Sequence, residues 1–166
     1  MHKIRPATPE ELRFLRAIAD LQLRREIGHL LFPEGVLLRI SRNTGKIREV
    51  LTPQGRSIAT VVASTYTLHL RLWAAIDLLK VHGPPWLRAV VADEVAEDVV
   101  NSKSSVFARH VLAIDDELRP GDEVVVTDES DKPLCVGRLV LSPEEVLHFI
   151  KGVAIKVREC VGNEAS

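Results

Sequence analysis

Residues 118–142 read LRPGDEVVVTDESDKPLCVGRLVLS. Pro120-Gly121 is a turn pair, because proline presets φ and glycine accepts a positive φ, and the Asp122 carboxylate is placed to hydrogen-bond nearby backbone. The run Val124, Val125, Val126 follows, β-branched and apolar, as a strand favours. An acidic loop, DESDK, separates it from a second apolar run, KPLCVGRLVL. Gly137 interrupts that run, which marks a bulge or a close approach of another backbone. The stretch therefore predicts a β-hairpin.

The elements on either side are equally short. Downstream, Ser142-Pro143-Glu144-Glu145 is a capping box opening a short helix that Gly152 closes, and VAIKVRE is a final strand. Upstream, LRAVVA is a buried strand. Asp93 is placed to cap the helix EVAEDVVNSK, in which Val95 and Val99 share a face, and SVFARHVLAI is extended. About five short strands with two small helices predict a compact, mostly antiparallel barrel.

The first half reads as a separate module. Thr8-Pro9-Glu10-Glu11 is another capping box. Leu12, Leu15, Ile18, Ala19, Leu23 and Ile27 then recur at helical spacing, with Gly28 ending the helix or loosening it. Four strands follow: GVLLRIS and KIREVLT about an NTG turn, then SIATVVAS and TLHLRLW. In the last, Leu68, Leu70 and Leu72 face inward while Thr67, His69, Arg71 and Trp73 face out. AAIDLLKV reads as a short helix, and HGPPW, with one glycine and two prolines, marks a domain boundary. The fold class expected is α+β: a small α/β module over residues 1–83, then a pseudo-barrel over residues 86–160.

Composition narrows the function classes. At 46% hydrophobic and 27% charged residues, the chain is of the globular kind, and no apolar run approaches a membrane span. The N-terminal MHKIRPATPEEL has no apolar segment of the signal-peptide type. Cys135 and Cys160 form no metal-ligand or C-x-x-C spacing, so two reduced, buried thiols in the cytoplasm are expected. Few Gln, Asn and Cys beside many Val and Arg lean toward heat adaptation. No nucleophile elbow, zinc-protease motif or phosphate-binding loop occurs, and His2, His29, His69, His82, His110 and His148 are scattered. No enzyme, metal site or cofactor is expected. Charge is split along the chain: residues 1–85 hold 13 Lys and Arg against 7 Asp and Glu, and residues 86–166 hold 9 against 16.

The ordered pieces SVFARHV, RPGDEVVVTDE, CVGRLVLS and GVAIKVR resemble the PUA domain, named for pseudouridine synthases and archaeosine transglycosylases. The pieces SRNTGKIR and IATVVAS resemble the module that precedes the PUA domain in archaeosine transglycosylase relatives. The resemblance implies a pseudo-barrel that binds structured RNA, either as an accessory to a modification enzyme or as a free-standing RNA-binding protein. It places RNA contacts around the loop after the first PUA helix, where relatives carry a glycine close to the position of Lys103 and this chain has NSKSS.

RNA binding requires cations for phosphates and small polar groups for close approach. One candidate surface is Lys103, Ser104, Ser105, Arg109 and His110, which Lys151, Lys156 and Arg158 on the closing strand extend. The other is Arg39, Arg42, Lys46, Arg48 and Arg71 on the N-terminal sheet, beside His69 and an outward Trp73. The charge split motivates a composite site to which both modules contribute. Expected partners are structured tRNA or rRNA and a modification enzyme or ribosomal protein, with no membrane. The alternative is an adaptor whose acidic half docks a basic partner protein.

Overall fold

The computed structural model describes residues 2–162 and divides into two compact units, Met1–Ala74 and Ala75–Ser166, with the division falling inside a helix. In the first unit, strand β1 (His2–Pro6) leads into helix α1 (Pro9–Leu23) and a short helix α2 (Gly28–Leu31). Four further strands, β2 (Leu37–Ser41), β3 (Ile47–Leu51), β4 (Ser57–Val62) and β5 (Thr67–Leu70), complete an antiparallel sheet in the order β1-β2-β3-β4-β5. The capping box forms as its residues dictate: the Thr8 hydroxyl accepts from Glu11 N at 3.1 Å and the Glu11 carboxylate accepts from Thr8 N at 2.9 Å. Leu12, Leu15, Ala19 and Leu23 are buried, and the Gln22 amide both donates to Leu68 O and accepts from Leu68 N, each at 2.8 Å, tying α1 to β5.

Helix α3 (Leu72–Leu79) crosses the division, and the second unit continues with β6 (Arg88–Val91) and α4 (Asp93–Ser102). Strand β7 (Ser105–Phe107), a 3-10 turn at Ala108–His110 and β8 (Val111–Ile114) come next. Strands β9 (Glu123–Thr127) and β10 (Pro133–Leu139), α5 (Pro143–His148) and β11 (Val153–Cys160) complete it. Six strands form a curled sheet in the order β7-β11-β10-β9-β6-β8, antiparallel throughout except for the parallel pair β6 and β9. This is the α+β arrangement read from the sequence, with the β9–β10 hairpin of the opening stretch at its centre. Every residue of β9 is buried.

Several local expectations are corrected. TLHLRLW is not a strand to its end: Leu72 and Trp73 belong to α3. SVFARHVLAI is broken by the 3-10 turn. Asp93 does not cap α4. Ala92 is the N-cap, and the Asp93 carboxylate instead accepts from Glu129 N while Asp93 N donates to the Glu129 carboxylate, both at 2.9 Å. Gly28 does not end α1, which closes at Arg24. A Cβ at residue 28 would lie 2.3 Å from Arg16 O, so glycine is needed there for close approach of α2 to α1. Strand β1 was not foreseen, because HKIRP is short and charged and shows no alternation. The expected free thiols are also corrected: Cys135 pairs with Cys160 across β10 and β11, with Cα atoms 4.0 Å apart, and the two form a disulfide.

Three ion pairs or carboxylate clusters organise the second unit's interior. Arg88, 3% exposed, donates to the carbonyls of Leu79, His82 and Trp86 at 2.9–3.1 Å and pairs with Asp131 at 2.8 Å. Asp115, 1% exposed, accepts from Leu87 N at 2.7 Å and Glu117 N at 3.0 Å. Buried Glu123 is paired with Arg158. Each buried charge is satisfied in this way, as burial demands.

Candidate nucleic-acid interface

The loop after α4 begins at Lys103, whose φ of +54° places it in the left-handed region as the helix C-cap. That is the conformation glycine adopts at helix ends without strain. Lys103 and Ser104 are exposed, and Ser104 O accepts from Val157 N at 2.8 Å, fixing the loop to β11. Ser105 then stands opposite Lys156 on β11, and Lys156 stands opposite Arg138 on β10. Directly paired residues present their side chains to the same face. The register thus sets Ser105, Lys156 and Arg138 in one row, with Lys156 and Arg138 exposed. Arg138 was read from sequence only as part of the hairpin. Nothing local marks it, and pairing between strands distant in sequence reveals it.

Phe107 lies on the same side of β7 as Ser105, by the alternation of a strand. It is 41% exposed. The guanidinium of Arg109 sits over its ring, 5.1 Å from the centroid, and the His110 ring approaches it edge-on at 6.4 Å. An exposed aromatic with a cation on its face, beside a row of cations, is suited to phosphates and unstacked bases. Among the described residues, no carboxylate is paired with Lys103, Arg109, Arg138, Lys151 or Lys156. Arg158 is different: both of its terminal nitrogens donate to Glu123, one at 3.1 Å, so its charge serves the interior. Lys151 is exposed in the turn before β11.

The N-terminal set is more divided. Arg39 pairs with Glu49 directly across β2 and β3 at 2.7 Å, so it is committed within the sheet. Arg48 is skipped by the ladder, since Arg39 opposes Glu49 while Ile40 opposes Ile47; a bulge therefore projects it to solvent. Arg42 and Lys46 are exposed about the Ser41–Lys46 turn. Arg71 and His69 are half-buried. Trp73 does not face out of a strand. Its indole N–H donates to Ser57 O at 2.7 Å, and Arg56 covers its ring at 4.2 Å. Among the described residues no group of three or more His, Cys, Asp or Glu is placed to hold a metal ion, and no helix is long and apolar enough to cross a membrane.

Two family profiles match the chain: the PUA domain over residues 88–161, and the patch-forming domain C2 of tRNA-guanine transglycosylase over residues 13–85. With the curled six-stranded sheet, they define a PUA-domain protein. The chain carries a PUA domain with a preceding C2 patch domain, and is homologous to the C-terminal region of archaeal tRNA-guanine transglycosylases. It is 34% identical over 152 residues to the tRNA-guanine(15) transglycosylase of Methanothermobacter thermautotrophicus, covering 92% of this chain and 23% of that protein. The corresponding enzyme of Pyrococcus abyssi is 36% identical over 154 residues, covering 93% of this chain and 26% of the enzyme. The chain thus spans about a quarter of the length of these relatives. A hypothetical protein from Pyrococcus horikoshii OT3 has the same fold at a TM-score of 0.74 with 17% identity, covering 97% of this chain and 96% of that one. A conserved PUA domain protein from Thermoplasma acidophilum superposes at 0.63 with 16% identity, covering 98% and 96%.

Proposed function

We propose that this chain is a non-catalytic RNA-binding protein that holds structured RNA, tRNA foremost, for a modification reaction carried out elsewhere. The observation that carries the reading is a row of Lys156 and Arg138 in register with Ser105, beside Lys103 and the stack of Arg109 on exposed Phe107, with none of these cations paired with a carboxylate among the described residues, in a unit whose overall charge is acidic. Homology to part of transglycosylases supports the tRNA context, and both matched profiles are of domains other than a complete enzyme. The reading places the chain in the cytoplasm. The disulfide does not oppose this, because intracellular proteins of heat-adapted archaea carry such bonds and the relatives come from such organisms.

The test is RNA affinity of the full chain with the double substitution Lys103→Glu, Arg109→Glu. Binding to unfractionated tRNA falls by well over tenfold, each reversed charge removing an attraction and adding a repulsion. Equal binding by the variant overturns the reading.

The adaptor reading is weakened in its original form. The acidic tip of the β9–β10 hairpin is engaged internally: Asp131 with Arg88, Asp128 with the amides of Ser130 and Lys132, and Glu129 with Asp93. A protein partner is instead favoured by the apolar surface of Leu147, Phe149 and Ile150 on and after α5, of which Ile150 is 80% exposed. A modification enzyme or ribosomal protein is the partner expected to cover it.

A further inference from the structure

We propose that Arg56, held on the indole face of Trp73, is a phosphate-binding residue of the N-terminal unit. The proposal rests on the RNA-binding reading above and adds to it a contact that neither the sequence motifs nor the family resemblance singles out.

Both halves of the stack are fixed. The turn between β3 and β4 closes on itself: Thr52 N donates to Arg56 O at 2.7 Å, Arg56 N to the Thr52 hydroxyl at 3.0 Å, and Gly55 N to Thr52 O at 2.8 Å. The indole is fixed by its hydrogen bond to Ser57 O. Arg56 Cζ lies 4.2 Å from the ring centroid, yet the residue is exposed. Among the described residues no carboxylate pairs with it. Glu49, on the neighbouring strand, is already held by Arg39 and the Ser57 hydroxyl. Arg5, Arg16, Arg88 and Arg158 each have an acidic partner. One face of the Arg56 guanidinium is occupied by the indole, while its in-plane N–H donors have no hydrogen-bond acceptor among the described residues. A planar fork with an unused edge matches two oxygens of a phosphodiester, and a guanidinium already stacked loses little rotational freedom on binding. The exposed Arg109 over Phe107 shows the same device in the PUA unit.

The experiment titrates full-length protein with fluorescently labelled unfractionated tRNA across a salt series. Arg56→Ala weakens binding by roughly tenfold, the scale of one charge-assisted hydrogen bond, and reduces the slope of log affinity against log salt by about one. Arg56→Lys also weakens binding, because a point charge lacks the fork. Trp73→Leu weakens it with Arg56 still present. Unchanged affinity and slope for Arg56→Ala, with binding still abolished by the Lys103 and Arg109 charge reversals, overturns this proposal alone. Wild-type binding by Arg56→Lys overturns it as well. Failure of the wild-type chain to bind tRNA removes the RNA-binding reading and this proposal together.

Discussion

Lys103 accepts a backbone conformation that costs a side-chain-bearing residue about 1 kcal/mol or more. Substituting glycine relieves that strain while removing a cation from the candidate interface. Lys103→Gly is therefore expected to raise thermal stability by about 1 kcal/mol and to lower tRNA affinity, a divergence that paired melting and binding measurements detect. A lysine of structural value only would move the first without the second. At the other end of the chain, the Arg5 guanidinium, aided by the Thr8 amide, holds the Glu11 carboxyl down to about 2 against the opposing effect of burial. Its folded value lies below its unfolded one. The stabilisation is complete above the unfolded value of 4.5 and is lost as pH falls toward 2. Glu11→Gln costs about 1 kcal/mol at neutral pH through the lost cap and ion pair, and the stability of the variant declines less between pH 4.5 and pH 2. Chemical denaturation at several pH values checks both.

At the scale of elements, Gly137 shows what a single position does for the barrel. A Cβ there would stand 2.2 Å from Lys156 O and 2.9 Å from Val157 Cα, and the β10–β11 register slips at this point. Gly137→Ala must push β11 away from β10, so it is expected to cost about 2 kcal/mol and to disturb Lys156. The loss is read as a lower denaturation midpoint. This glycine was legible in sequence because it broke an apolar run, as were both capping boxes, because their residues act over three positions. The β-hairpin was legible for the same reason: turn chemistry and branched residues are local signals. What stayed hidden depends on register between distant strands. The Cys135–Cys160 bond, the row of Ser105, Lys156 and Arg138, the diversion of Arg158 to Glu123 and the bulge at Arg48 all arise from pairings that no local spacing encodes. Trp73 misled for another reason: strand alternation continued into a helix that began two residues early.

For the whole molecule, the place to divide the chain matters. A fragment starting at residue 86 lacks the carbonyls of Leu79 and His82 that satisfy Arg88, whereas one starting at residue 75 keeps them. Residues 75–166 are therefore expected to fold more stably than residues 86–166, by about 2 kcal/mol for donors left without acceptors in a buried site. Circular dichroism during thermal melting distinguishes the two. If the N-terminal unit contributes phosphate contacts, the longer fragment also binds tRNA more weakly and with a shallower salt dependence than the full chain. The disulfide has a different consequence at this scale. It makes residues 135–160 a closed covalent ring, with α5 and the exposed stretch from Phe149 to Gly152 inside it. A protease that cuts in that stretch opens the ring without dividing the molecule. The nicked protein would migrate as one band until a reductant is added and as two afterwards, keeping β11, with Lys156 and Arg158, attached to the body of the domain after the backbone is broken.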